Sequence, residues 1–133
     1  MLSQIFRSRT VVLGLLLGWM AVIFFFSSLS GKQTAGPPPL WYFIERKGAH
    51  VFEYALLTLL SFRYLFLSYR NESYNRILVV AALFSLMYGA TDELHQFFVP
   101  LRGARFSDVM IDGLGILLMS LALYLWYKNK NRS

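Results

Sequence analysis

Four long apolar runs constrain this chain more than any other feature of its sequence. They cover about residues 11–29, 46–67, 74–97 and 106–127, and each is close to the roughly 20 residues that a membrane-spanning helix needs. Because a bilayer offers no water to the backbone, the peptide groups of each run must be satisfied within it, as they are in a helix. The pattern predicts an all-α fold, an integral membrane bundle of four transmembrane helices.

The composition of the chain agrees with a small membrane protein. Of its 133 residues, 56% are hydrophobic and 15% are charged, whereas a soluble domain is nearer a quarter charged. The length favours a single domain over residues 1–133. The absence of cysteine excludes disulfides and thiolate metal sites. The net charge of +6 comes mostly from residues beside apolar runs, which is typical of orientation signals, so we expect no nucleic-acid partner.

The first run has an alternative interpretation as a secretory signal peptide, since basic residues precede its apolar core. The Ser-Leu-Ser-Gly stretch at 28–31 is only a loose match to a cleavage site, and the apolar core is longer than in most signal peptides. We therefore expect an uncleaved first helix.

The distribution of Lys and Arg predicts the orientation of the bundle. The two tails and the second loop with its flank carry eight basic residues, and the opposite side carries five. Because Lys and Arg accumulate on the cytoplasmic side, we expect both termini to be cytoplasmic. Six of the seven acids then lie on the extracytoplasmic side.

Polar residues recur at helical spacing near the acid-rich ends of three runs. These stripes comprise Lys47, His50, Glu53 and Tyr54 in the second run, Asp92, His95 and Gln96 in the third, and Asp108, Asp112 and Gly115 in the fourth. Residues three or four apart share a helix face, so the stripes predict one extracytoplasmic cavity inside the bundle. Gly115 lacks a side chain, and we expect another helix to approach closely there.

The predicted cavity contains more acids than bases. Three basic residues face five acids, namely Lys47, Arg102 and Arg105 against Glu53, Asp92, Glu93, Asp108 and Asp112. The residual charge is −2 if both histidines are neutral. An enclosed site can offset that charge by keeping protons on carboxyl groups, by protonating a histidine, or by binding a divalent cation.

The residue types suggest three kinds of role for these side chains. The catalytic candidates, as general acid, base or orienting group, are His50, Glu53, Asp92 and His95. The candidates for substrate binding, where guanidinium forks match phosphate oxygens, are Lys47, Gln96, Arg102, Arg105, Asp108 and Asp112. The metal candidates, because carboxylate–His pairs at i, i+3 build metal sites in bundles, are His50, Glu53, Asp92, His95 and Asp112. A plainer alternative is that these groups pair across helices and fix the bundle.

These motifs resemble the pattern of the VanZ-like family. The matching stretches are Lys47-x-x-His50-x-x-Glu53-Tyr54, then Thr91-Asp92-Glu93-x-His95-Gln96-x-Phe98-Val99-Pro100-x-Arg102, then Asp108-x-x-x-Asp112-x-x-Gly115, with Phe26-Ser27-Ser28 at the end of the first run. The resemblance covers nearly the whole chain. Leu101 stands where members of the family often have glycine, and we expect this departure to matter little.

The resemblance implies a small multi-pass protein of the bacterial cell membrane. The family takes its name from a member linked to low-level resistance to teicoplanin, a lipoglycopeptide antibiotic that targets cell-wall precursors, and it implies no settled biochemical activity. We expect a protein that binds or modifies an anionic envelope lipid or precursor. The alternatives are a non-enzymatic accessory protein and a proton-coupled transporter, which would need to be a dimer. A divalent metal and a second copy of the chain stay open as cofactor and partner.

Overall fold

The computed structural model describes residues 7–30, 39–101 and 106–132 of the chain. Within them it contains four α-helices, which we number α1 (Arg9–Ser28), α2 (Leu40–Ser68), α3 (Tyr74–Phe97) and α4 (Phe106–Lys130). Each helix contains a segment that is long and apolar enough to cross a membrane. The prediction of an all-helical fold with four membrane spans is confirmed, and the orientation of the termini stays a prediction.

The helix bounds differ from the predicted ones mainly in α2. The sequence pattern starts this helix at Arg46, where charges interrupt the apolar run, but the helix itself begins at Leu40, directly after Pro39. A helical backbone does not require apolar side chains, and proline commonly stands at a helix start. The segment of α2 suited to the membrane begins at Ile44, so the first turn of α2 extends beyond it.

The helix α2 is the centre of the bundle. It packs against α1, α3 and α4, and its contact with α4 is the most extensive in the fold. An apolar cluster at the middle of the bundle includes Leu16, Ile23, Leu57 and Ile116. Many large apolar side chains remain exposed on the outside of the helices, as a surface that contacts lipid tails requires.

Aromatic side chains also tie the helices together through hydrogen bonds to backbone carbonyls. Trp19 Nε1 donates to the carbonyl of Glu53 at 3.0 Å, which joins α1 to α2. Tyr88 Oη donates to the carbonyl of Met20 at 2.7 Å, which joins α3 to α1. Each of these carbonyl oxygens has two lone pairs, and the helix uses only one of them. The additional hydrogen bonds therefore do not require the loss of the backbone hydrogen bonds within the helix.

The close contact between α2 and α4 depends on Gly115. A Cβ atom added at this position would overlap the backbone carbonyl of Val51, so a side chain there would push the two helices apart. This confirms the expectation that another helix approaches Gly115 closely. Gly113, on the same helix, has no neighbouring atom within 4 Å of such a Cβ.

We predict that Gly115→Ala destabilises the bundle whereas Gly113→Ala does not. The added methyl group at Gly115 meets backbone rather than a movable side chain, and overpacking of this kind costs about 1–3 kcal/mol. At Gly113 alanine has space and a better helix propensity, worth up to about 1 kcal/mol. The free energy of unfolding in mixed detergent micelles checks this. Equal stability of the two variants would contradict the close crossing.

The loop after α3 contains a strained residue. Helix α3 closes with hydrogen bonds from the Phe98 amide to the His95 carbonyl and from the Val99 amide to the Gln96 carbonyl, at 3.0 and 3.1 Å. Leu101 then has a φ of 61°, in the left-handed region that glycine adopts without a steric penalty. The structure therefore corrects the expectation that leucine instead of glycine matters little at this position.

We predict that Leu101→Gly stabilises the protein. A left-handed conformation costs an L-residue roughly 1–2 kcal/mol, and the extra freedom of glycine in the unfolded chain offsets about 0.4–1 kcal/mol of the gain. Leu101 is 62% exposed, so little packing is lost. Leu101→Ala is the matched control, since it removes the side chain but keeps the strain. If the alanine variant gains as much as the glycine variant, the backbone is not the cause.

Candidate functional site

A polar cavity lies between α1, α2 and α3, at the end of the bundle where α1 ends and α2 begins. Its volume is about 590 Å³, within the range of small-molecule sites. Its apolar lining residues are Ile23, Phe26, Leu29, Trp41 and Ala49, and its polar lining residues are Ser27, Ser30, Glu45, Arg46, His50, Glu53, Asp92 and Gln96. The cavity therefore offers both apolar and charged side chains to a ligand.

A buried pair between His50 and Asp112 stands at the wall of this cavity. His50 Nδ1 and Asp112 Oδ1 lie 2.9 Å apart and share a hydrogen bond, and the two residues are 8% and 0% exposed. His50 belongs to α2 and Asp112 to α4, so the pair links the two helices that contact each other most. The carboxylate also fixes the orientation of the imidazole ring beside the cavity.

A gap at Gly89 brings Tyr54 and Asp112 together. A Cβ atom at Gly89 would lie 3.1 Å from Tyr54 Cε1 and 3.5 Å from Asp112 Oδ2, so the absent side chain leaves room for both groups. Tyr54 is fully buried. Neither Tyr54 Oη nor Asp112 Oδ2 has a hydrogen-bond partner among the described residues.

The side chains of Asp92 and Gln96 form a second polar unit on α3. Gln96 Nε2 donates to Asp92 Oδ2 at 2.8 Å, and both residues are buried. Their remaining oxygens, Asp92 Oδ1 and Gln96 Oε1, have no hydrogen-bond partner in the described part of the chain. Both residues line the cavity, and these two oxygens are buried acceptors beside it.

Glu93 faces a different direction from its neighbour Asp92. Consecutive residues of a helix point about 100° apart, and Glu93 forms a group with His50 and Asp112 in which one ligand atom from each residue lies within 4.8 Å of the others. Glu93 is 4% exposed. In the sequence analysis Glu93 contributes to the charge of the cavity but has no assigned role. Helical spacing alone does not predict that this side chain lies close to His50 of α2 and Asp112 of α4.

His95 turns towards α1. Its Nε2 lies 3.0 Å from Ser28 Oγ, and its ring centroid lies 4.6 Å from that of Phe24. Ser28 Oγ donates its single proton to the carbonyl of Phe24 at 2.7 Å, so the His95 nitrogen is the donor to Ser28. His95 is not among the described residues that line the cavity.

The comparison with known protein families decides what kind of protein carries this site. The family model described as VanZ/LLP1 matches residues 12–127, a segment that reaches from α1 to α4 and includes every site residue discussed above. The chain belongs to the VanZ-like family. No curated protein and no solved structure matches it.

The charged stripe of this VanZ-like protein starts one residue earlier on α2 than the sequence suggested. Arg46, His50 and Glu53 line the cavity, and their spacing of four and three residues keeps them on one helix face. Lys47, which the sequence pattern placed on that face, is exposed and is not among the described lining residues. The rotation of α2 about its axis, which turns Arg46 and not Lys47 towards the cavity, would have been needed to choose between the two bases.

Of the other candidates for substrate binding, Gln96 lines the cavity and Asp112 pairs with the lining residue His50, whereas Asp108 is not among the described lining residues. Asp108 is half-buried and accepts a hydrogen bond of 3.4 Å from Ser107 Oγ. Arg102 and Arg105 lie outside the described residues. Ser27, at the end of α1, is a lining residue.

We predict that His50→Ala costs more stability than His95→Ala. The first change leaves the buried carboxylate of Asp112 without its partner, and breaking a buried pair costs about 3–5 kcal/mol. The second removes a more exposed hydrogen bond that is worth about 1 kcal/mol. Unfolding in mixed micelles measures both. The double variant with His50→Leu and Asp112→Leu should cost less than the sum of its single changes, and strict additivity would contradict a direct pair.

Proposed function

We propose that this VanZ-like protein binds an anionic envelope lipid or cell-wall precursor in the cavity, at the outer leaflet of the bacterial cytoplasmic membrane. The observation that carries the proposal is the mixed lining of the cavity, which combines Phe26, Leu29 and Trp41 with charged residues. An acyl or prenyl chain would pack against the apolar lining residues. A polar headgroup would contact the charged ones.

The charges of the cavity define the headgroup further. Arg46 is the basic residue among the described lining residues, and it is accompanied by Glu45, Glu53 and Asp92. A phosphate would pair with the Arg46 guanidinium, while the carboxylates accept hydrogen bonds from hydroxyl or amino groups. The proposed ligand therefore carries a phosphate together with hydrogen-bond donors. Phosphatidylglycerol has both, whereas the headgroup of phosphatidylcholine has no hydrogen-bond donor.

A chemical step on the bound headgroup is a stronger form of the same proposal. If His50 donates from Nδ1 to Asp112, its Nε2 is the basic nitrogen, and a histidine oriented by a carboxylate is a common general base. Teicoplanin targets cell-wall precursors, so a changed susceptibility to it is one phenotype expected of cells in which the precursors are bound or altered.

The main alternative is an accessory protein whose polar residues only fix the bundle. The contacts between His50 and Asp112 and between Ser28 and His95 favour it, because each joins two helices. Under this alternative, substitutions in the cavity lower stability without any change in ligand binding. A substitution at Ala49 distinguishes lipid binding from a purely structural role. Ala49 lines the cavity and is exposed, and it takes part in neither of these two contacts.

We predict that Ala49→Trp blocks lipid binding and that Ala90→Trp does not. Both alanines are exposed, but only Ala49 is among the described residues that line the cavity. Native mass spectrometry of the protein in detergent, with added phosphatidylglycerol or phosphatidylcholine, measures the bound lipid. The wild type should prefer phosphatidylglycerol.

A second pair of variants tests the role of Arg46. Loss of a charge-assisted contact of about 1.5–3 kcal/mol should weaken phosphatidylglycerol binding at least tenfold in Arg46→Ala. Arg76→Ala is the matched control, because Arg76 pairs with Glu72 at the other end of the bundle, at 2.9 Å. Equal binding by all four variants would refute the proposal, and a C-terminal reporter that lies outside the cell would refute the outer-leaflet assignment.

A further inference from the structure

The acid–histidine group behind the cavity has the composition of a metal site. His50, Glu93 and Asp112 come from α2, α3 and α4, and each offers one ligand atom within 4.8 Å of the other two. Ligands of a transition-metal ion lie about 2.0–2.2 Å from it and hence at most about 4.4 Å from each other. Side-chain movements of a few tenths of an ångström would close the group around an ion. We propose that His50, Glu93 and Asp112 bind one divalent transition-metal ion.

Burial of the group supports a bound cation. The three residues are 8%, 4% and 0% exposed, and buried carboxylates are costly unless they are paired or coordinate a metal. A dication offsets two carboxylates at once. Three different helices supply the ligands, so an ion at this place would also hold the bundle together.

A second observation is independent of the spacing of the ligand atoms. Asp112 uses Oδ1 for His50, but Oδ2 has no hydrogen-bond partner among the described residues. Tyr54 Oη is likewise without a hydrogen-bond partner there, on a residue that is 0% exposed and packs around the same gap at Gly89. A buried polar atom of this kind calls for a partner such as an ion or a water. An ion on Asp112 Oδ2, with a coordinated water towards Tyr54, supplies both partners.

The donor atoms indicate the class of ion. One imidazole nitrogen and two carboxylate oxygens suit Zn²⁺ or Mn²⁺. Calcium and magnesium prefer sites built from oxygen alone, and ions that require thiolate are excluded because the chain has no cysteine. The site does not rest on the proposed lipid function, although His50 belongs to both.

The test is a Zn²⁺ titration of the metal-free full-length protein, purified in detergent without a polyhistidine tag and with no added lipid. We expect about one Zn²⁺ per chain and an affinity at least tenfold lower in Glu93→Gln. Glu72→Gln is the matched control, since it makes the same change at an exposed carboxylate at the other end of the bundle, and it should bind as the wild type does. A wild type that binds no Zn²⁺, or a Glu93→Gln variant that binds it equally well, overturns the proposal.

A second measurement needs no substitution. The electron paramagnetic resonance lines of Mn²⁺ should broaden when the ion leaves water and binds the wild-type protein, and added Zn²⁺ should restore the sharp signal by displacement. An unchanged Mn²⁺ spectrum together with no Zn²⁺ binding overturns the site. Because neither experiment contains added lipid, their failure leaves the lipid proposal intact, and failure of the lipid experiments leaves the metal proposal intact.

Discussion

The crossing of α2 and α4 is the contact on which the rest of the site depends. At Gly115 the backbone of α4 lies against the carbonyl of Val51, with no room for a side chain. His50 is the residue before Val51, and Asp112 lies one turn before Gly115. The short distance between the two backbones is therefore what lets His50 and Asp112 meet at 2.9 Å. A wider crossing would leave a carboxylate alone inside a membrane bundle, at a high cost in free energy.

The need for close approach between helices explains why small residues and charged residues occur together in this fold. In lipid, apolar side chains gain little by leaving one apolar surface for another, so close packing and polar contacts must hold the helices. Gly89 gives space to Tyr54 and Asp112, and Gly115 gives space to Val51. The two glycines thus make the room that the buried polar side chains and the close helix crossing need.

Hydropathy and helical spacing were sufficient to predict the fold and the burial of several polar residues. The four helices follow from apolar runs of spanning length, and α3 has the predicted bounds. Spacing also predicted correctly that His50, Asp92, Gln96 and Asp112 are buried at one end of the bundle. These results need only the period of a helix and the cost of polar groups in lipid, both of which can be read from a single sequence.

The finer features depend on rotations and contacts that a single sequence does not contain. Choosing Lys47 instead of Arg46 is a difference of one residue, or about 100° around the helix, and both positions carry a basic side chain. The strain at Leu101 depends on the path of a loop rather than on composition. A local pattern describes which residues share a face, but it cannot say which neighbouring helix covers that face.

The adjacent acids Asp92 and Glu93 belong to two different polar groups. Asp92 lies with Gln96 on the wall of the cavity, while Glu93 lies with His50 and Asp112 behind it. Because His50 belongs to both groups, the cavity and the buried acids share one imidazole. A charged group on one side of that ring would change the electrostatic potential on the other, so we expect a ligand bound in the cavity to be electrostatically coupled to the buried cluster. The dipeptide Asp92-Glu93 near the end of α3 thereby divides one polar region into two groups of side chains that share a single histidine.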